Sequence, residues 1–225
     1  MTNKYQFLTG RESFYLEKFQ EYLVHKDIID PLQSLIQDAK SEIGAEIEII
    51  SSFRDFDRQQ HIWNAKATGD RPITDETGKT VDPRKLSPIE LIHKIMRFSA
   101  VPGLSRHHWG TDIDIFDSSK MNKEDVCLIP EECSGPFREL HEWLDDKIAD
   151  NKAHGFFRPY DRDLNGVAVE KWHISYAPLA QEYYHLYSID LFIQNLKDSE
   201  IELKDTLLEH AESLFNQYFK NIVLP

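Results

Sequence analysis

Cysteine is almost absent: Cys127 and Cys133 are the only two in 225 residues. Two cysteines cannot staple a small secreted scaffold, and their spacing is not that of a zinc knuckle. Glycine (9) and proline (10) are also scarce, which excludes collagen-like and low-complexity chains. No apolar run approaches the ~18 residues of a membrane span. The residues after Met1 lack an apolar h-region, so no Sec-type signal is visible. The expectation is a cytoplasmic protein with reduced thiols, with a trimmed signal or release by another route left open. Positive charge is short as well: 26 Lys and Arg stand against 39 Asp and Glu, a net charge of −13. Such a surface repels phosphate backbones and anionic lipid, which argues against nucleic-acid partners. Cationic, metallic and small-peptide partners remain open. What the chain has in quantity is apolar side chains (40%) and aromatic ones (12%), enough for a sizeable core. Its length fits one large domain, or one domain with a modest extension.

The pattern along the chain predicts an α+β fold. Helices are expected over Glu12 to Ile29, where Phe14, Tyr15, Phe19, Tyr22 and Leu23 fall at helical spacing, and over Pro31 to Ile43. Residues 45–52 alternate Ile47 and Ile49 with Glu46 and Glu48, a strand whose end delivers Ser52, Phe53 and Arg54 to a helix carrying Gln59, Ile62 and Trp63. Thr68 to Leu86 reads as a long loop of the kind that forms lids or binding loops. Ser87-Pro88-Ile89-Glu90 is a capping box opening a helix to about Phe98. A strand follows over residues 111–116, a helix over Pro136 to Asp150, and short strands near 155–158 and 167–176, separated by an Asn165-Gly166 turn. From Pro178 onward the pattern is helical. Ser199 and Glu202 form a second capping box there, and Leu207, Leu208, Ala211, Phe215, Tyr218 and Phe219 form an apolar stripe suited to packing. Helices outside a short, mostly antiparallel sheet complete the expectation.

Two windows carry chemistry. In Ser105-Arg-His107-His-Trp-Gly110-Thr-Asp112-Ile-Asp114, a His and an Asp seven apart can reach one ion if the chain bends at Gly110. Strand alternation puts Asp112, Asp114 and Phe116 on one face, opposite Thr111, Ile113 and Ile115. Two carboxylates against an apolar core are costly unless a cation relieves them. This window alone is equally compatible with solvated edge carboxylates and a loop histidine. In the second window, Glu170 and His173 converge on one ion only if the backbone kinks between them; taken alone, a half-buried strand with an exposed Glu explains it more simply. Together the windows supply two imidazoles, one carboxylate and one free Glu. That set leaves a fourth tetrahedral position for water, as in a catalytic zinc site, with the Glu as base.

Ser105-x-His107-x-x-Gly110-x-x-x-Asp114 followed by Glu170-x-Trp172-His173 resembles the VanY-type D-alanyl-D-alanine carboxypeptidases of the LAS group of zinc metallopeptidases. Ser52-Phe53-Arg54, with Gln59, looks like an upstream element of that family, and Gly155, Phe156, Tyr160 and residues 166–168 fall where it has similar residues. The resemblance spans about Glu46 to Tyr176. It implies a LAS or hedgehog-like fold with helical additions at both ends: a zinc peptidase domain over 1–177 and a C-terminal helical extension over 178–225. It implies His107, Asp114 and His173 as Zn2+ ligands, Glu170 as catalytic base, Arg54 as a catalytic and substrate-holding group, and Gln59 and Ser105 as substrate contacts. It implies a peptidoglycan stem peptide or muropeptide ending in D-Ala as substrate. An L,D-carboxypeptidase, a D-Ala-D-Ala dipeptidase and a silent zinc-containing cell-wall-peptide binder share the constellation. Three departures stand out: Asp112 where the family usually has Ala, on the same strand face as Asp114; Lys171 in place of a common Pro; and Ser52-Phe53 in place of Gly-Tyr. His108 adjoins a proposed ligand and reads as a surface or supporting residue.

Overall fold

A computed structural model describes residues 5–74 and 79–225. Its centre is a four-stranded antiparallel sheet of β3 (Ile47–Ser51), β6 (Asp112–Asp117), β8 (His173–Tyr176) and β7 (Phe156–Phe157), in that spatial order. Around it, in chain order, lie the hairpin β1 (Leu16–Phe19) and β2 (Tyr22–His25), α1 (Ile29–Ile43) and α2 (Phe56–Thr68). The small hairpin β4 (Ile73–Thr74) and β5 (Thr80–Val81) follows, then α3 (Pro88–Met96), α4 (Pro130–Ser134) and α5 (Arg138–Ala149). The C-terminal part contains α6 (Ala177–Leu186), α7 (Ile189–Lys197), α8 (Lys204–Glu209) and α9 (Ala211–Phe215). This is the expected α+β arrangement. Among the described residues no helix is long and apolar enough to cross a membrane, and both cysteines are free thiols.

Two apolar clusters flank the sheet. Ile47, Ile49, Ile113, Ile115 and Ile174 turn one sheet face toward Leu32, Leu35 and Ala39 of α1 and Leu140 and Leu144 of α5. The alternation read from residues 111–116 thus sends its isoleucines to a core, and Asp112 and Asp114 to the opposite face. The second cluster joins Trp63, Ile92, Ile95 and Trp109 to Phe192, Leu207, Leu214, Phe215, Tyr218 and Phe219. The C-terminal helices therefore share one core with α2, α3 and Trp109, the aromatic next to the His107-His108 pair.

Several expectations change. The helix expected over residues 12–29 is absent: Leu16 to His25 form the β1–β2 hairpin, turning at Gln20 in the left-handed region (φ 54), a 3-10 turn spans Lys26–Ile28, and Ile29 already opens α1. A helix there would need its aromatics on one buried stripe, yet Tyr15 and Phe19 are buried while Phe14 is 79% and Leu23 47% exposed. The strand expected over 167–176 is regular only from His173. Ser199 caps no helix: its hydroxyl donates to the Asn195 carbonyl and accepts from Arg11, and α8 starts later, after Leu203 in the left-handed region. The Thr68–Leu86 stretch holds the β4–β5 hairpin, and its residues 75–78 lie outside the described residues. The Ser87 box is present, the Glu90 carboxylate accepting the Ser87 N–H at 2.8 Å.

Candidate metal centre and its cavity

Register places the ligand set. Asp114 lies opposite His173 on β8 and, after an irregularity following Ile49, opposite Ser51 on β3. His107 arrives from a 3-10 turn, Arg106–Trp109, that stops at Gly110 with φ 67. Glycine is needed there twice over: the conformation disfavours L side chains, and a Cβ would sit 2.5 Å from Leu16 Cδ2 and 2.9 Å from the His25 nitrogen. The bend at Gly110 and the β1–β2 hairpin packed on it thus aim His107 at β6. Ligand atoms of His107, Asp114 and His173 lie within 4.8 Å of one another, all three residues buried. His107 Nε2 is 3.4 Å from Asp114 Oδ2, and His173 Nδ1 is 3.1 Å from Asp114 Oδ1.

Each imidazole is oriented from its far edge. His107 Nδ1–H donates to the Ser52 carbonyl at 3.0 Å, so Nε2 carries the lone pair toward Asp114. Burial, with Arg54 and His173 nearby, lowers its pKa to about 4, so it is a neutral ligand at pH 7. His173 Nε2–H donates to Asp112 Oδ1 at 3.0 Å, which turns Nδ1 to Asp114. Asp112 is thus on the opposite edge of His173 from the convergent set. Its Oδ1 also accepts from Arg106 Nε at 2.7 Å and its Oδ2 from the Thr111 hydroxyl at 2.7 Å. Burial opposes this charge, but Arg106 and His173 outweigh it and hold the Asp112 pKa well below the carboxylate range. Arg106 in turn donates to Ser175 Oγ at 2.7 Å and lies over the Trp109 ring. A buried Arg106–Asp112–His173 chain is the arrangement by which an acid fixes the tautomer of a metal-binding imidazole. It fits the donor set to a cation. For His173 itself, burial works against protonation, but Asp112 and Asp114 together raise its pKa to about 9.

Glu170 reaches the site through the kink that its spacing requires. The Glu170 N–H donates to the Tyr160 carbonyl at 3.0 Å and the His173 N–H to the Glu170 carbonyl at 3.1 Å, closing a turn ahead of β8. Its carboxylate is 3.9 Å from His173 Nδ1, and burial raises its pKa to about 7. Arg54, at the β3–α2 junction, is held through its backbone: its N–H donates to the His107 carbonyl, and its carbonyl accepts His108 Nδ1–H at 2.6 Å. His108 Nε2 accepts the Gly103 N–H, so this buried histidine supports Arg54. The Arg54 guanidinium donates to Gln59 Oε1 at 2.7 Å and Ser51 Oγ at 3.3 Å, while its buried Nε has no partner. Gln59 is fully buried, and its Nε2 donates to the Ala100 carbonyl at 2.6 Å, so both ends of its amide are bonded inside the protein.

These groups share a cavity of about 310 Å3. Ser105, Arg54, Glu170 and the three convergent residues line it, joined by Tyr160, whose ring is 5.0 Å from that of His173. Lys66 and Arg71 line it too. Sequence reasoning assigned no role to Arg106, Lys66 or Arg71, and noted Asp112 only as a departure from the family on the strand face of Asp114. Its one available signal was the alternation that put Asp112 and Asp114 on one face.

The family model described as VanY, D-alanyl-D-alanine carboxypeptidase, matches residues 21–179. An uncharacterised protein of Haemophilus influenzae is 36% identical over 124 residues, covering 52% of this chain and 92% of that one. Among solved structures, VanYB in complex with D-alanine-D-alanine superposes with a TM-score of 0.52 at 21% identity, over 80% of this chain and 87% of the other. A vancomycin-resistance D,D-pentapeptidase, VanY, in complex with Zn(II) does so with 0.51 at 23% identity, over 77% and 87%. The family match covers well over half of the sequence and includes every residue of the candidate site, and the chain belongs to the VanY D-alanyl-D-alanine carboxypeptidase family.

Proposed function

We propose that this protein is a zinc-dependent carboxypeptidase that removes a C-terminal D-Ala from peptidoglycan stem peptides. The observation that carries the reading is the convergence of His107 Nε2, the Asp114 carboxylate and His173 Nδ1 beside Glu170, a carboxyl with a pKa near 7. Two imidazoles and a carboxylate suit a catalytic zinc with one open position. Zinc held there supplies Lewis-acid polarisation of the scissile carbonyl and acidifies water.

The chain's own residues do the rest. Glu170 takes a proton from the attacking water and hands it to the leaving amine, and a carboxyl tuned near neutrality can perform both transfers. Arg54 turns its guanidinium toward the oxygen that becomes negative, with Nε available and the rest fixed by Gln59 and Ser51. Gln59 is in this reading a positioning residue for Arg54, and Ser105 a substrate contact in the cavity wall. The D-Ala-D-Ala bound to VanYB and the Zn(II) of the related pentapeptidase support the choice of substrate and metal.

The test is to incubate zinc-loaded protein with muropeptides of defined stem length and identify the broken bond by mass spectrometry. Release of one terminal D-Ala is the expected result. Release of a D-Ala-D-Ala dipeptide, or cleavage at an L,D bond, would move the chain to the sister specificities; binding without cleavage would make it a cell-wall-peptide binder.

A further inference from the structure

A protein of net charge −13 lines its candidate site with four cationic side chains: Arg106 is paired with Asp112, and the other three are Arg54, Lys66 and Arg71. All three come from α2 or its flanks. Arg54 precedes the helix, Lys66 follows Ile62 by one turn on the cavity side, and Arg71 lies just beyond its end. Glu170 and the metal-binding set line the same cavity.

Lys66 is the anomaly. Its ammonium is partly buried and donates to Ser99 Oγ at 2.6 Å. Among the described residues no carboxylate lies within ion-pair distance of it. A compact ammonium offers three donors, and the Ser99 hydroxyl takes one of them. Its cationic neighbours make matters worse: burial, then Arg71 and Arg54, lower its pKa to about 8 against the pull of Glu170. Buried lysines ordinarily have an acid beside them, because taking an ammonium from water is expensive otherwise. Ser99 adjoins Ala100, whose carbonyl receives Gln59, so Lys66 is braced against the same segment that anchors the Arg54 support. Ile62, Met96 and Phe98 supply apolar wall beside it. Among the described residues, the site therefore holds at Lys66 a positive charge with no carboxylate in direct contact.

We propose that Lys66, assisted by Arg71, forms an anion subsite that receives a carboxylate of the bound peptide, separate from the oxygen faced by Arg54. The subsite rests on the peptidase reading for its ligand, and it narrows that ligand to peptides carrying a free carboxylate close to the scissile bond. Two carboxylates are chemically equivalent candidates: that of the C-terminal residue, and one on the side chain of the third stem residue.

The experiment is calorimetric titration of metal-loaded Glu170→Ala protein, with and without Lys66→Met. The titrants are L-Lys-D-Ala-D-Ala, its C-terminal amide, and the analogue with meso-diaminopimelate replacing Lys. A charge-assisted bond lost with Lys66 should weaken the carboxylate-bearing peptide by roughly 10- to 100-fold. The partner lacking that carboxylate should bind almost as before. An acid-versus-amide difference that collapses in Lys66→Met assigns the subsite to the C-terminus, and a diaminopimelate-versus-Lys difference that collapses assigns it to the side chain. Lys66→Arg should keep the preference, and the melting temperature of Lys66→Met should change little, since the ammonium is only partly buried. A loss that falls equally on all three peptides, or no loss at all, overturns the subsite. Turnover assays on wild type separate the two readings. Hydrolysis without any Lys66-dependent preference overturns the subsite alone. Inert wild type with the preference intact overturns the hydrolase reading alone, and failure to bind any of the peptides overturns both.

Discussion

The segment from Val169 to His173 has a cavity on each side, and the two treat buried charge in opposite ways. Behind it lies a cavity of about 390 Å3 lined by Cys133, His141, Asp145, Lys171 and Trp172. There Arg158, 2% exposed, is fully engaged: Nε donates to the Lys171 carbonyl at 2.7 Å, one terminal nitrogen pairs with Asp145, and the other donates to His141 Nδ1 at 3.0 Å. Lys171, the departure from a family Pro, donates to Asp145 at 2.7 Å. In front lies the candidate site, where Arg54 Nε lacks a partner and, among the described residues, Lys66 has no carboxylate within ion-pair distance. Each side leaves one buried nitrogen unpaired. The one behind is His141 Nε2, on an imidazole whose pKa burial and Arg158 lower to about 3, so the orphan there is neutral. Satisfied charge fixes the shape of the turn that presents Glu170; unsatisfied charge in front is reserved for a ligand. The same buried guanidinium chemistry serves architecture on one side and recognition on the other, and the partners decide which.

The largest test of this contrast pits Glu170 against Arg158. Glu170→Ala should keep its fold and metal content while turnover falls by about 10²–10⁴-fold, measured by product release and elemental analysis on one preparation. Near-normal hydrolysis would remove Glu170 from the proton-transfer role. Arg158→Ala should do the reverse, costing about 3 kcal/mol in urea unfolding. The low end of the range for a broken buried pair applies because Asp145 is partly solvated (39% exposed side chain). An Arg158 variant of unchanged stability would erase the distinction between the two sides.

A smaller effect sharpens the reading of the ligand set. Asp112→Ala should weaken zinc by about 10- to 100-fold, because His173 loses the acid that fixes its tautomer. Competition against a chromophoric chelator measures this without any turnover. Unchanged affinity in Asp112→Ala, with loss in Asp114→Ala, would reduce Asp112 to a partner for Arg106. Loss confined to Asp112→Ala would exchange the roles of the two carboxylates.

The smallest prediction is a pH profile. Glu170 must be ionised to accept a proton, and burial raises its pKa to about 7. A bound cation draws that value down, so kcat/KM should rise with pH along a limb centred at or below about 7 and level off above it. A limb that persists unchanged in Glu170→Gln belongs to another group.

Much of this protein is determined by sequence alone. Alternation over residues 111–116 sends Ile113 and Ile115 into one core and both aspartates to the other face, because strand side chains must alternate. The Ser87-Glu90 box, the helix after Arg54 and the turn at Asn165 are equally local: each depends on hydrogen bonds or a backbone conformation, φ 63 for Asn165, set within a few residues. The set His107, Asp114, Glu170 and His173 was legible through the family motif that it resembles, since either window alone left a plainer reading open; the bend at Gly110 and the turn before His173 that such a set needs are both present. Other features needed the tertiary structure. Residues 12–29 have helical spacing, yet their central part, Leu16 to His25, folds as a hairpin because contact with Gly110 and burial of Tyr15 and Phe19 outweigh local periodicity. Whether Asp112 or Asp114 faces a cation could not be read from one strand face. It follows from Arg106 and the far edge of His173, groups brought to Asp112 from a turn and from a neighbouring strand. The meaning of Lys66 on a polar helix was also hidden, since the lack of a carboxylate beside it among the described residues is visible only in the tertiary structure.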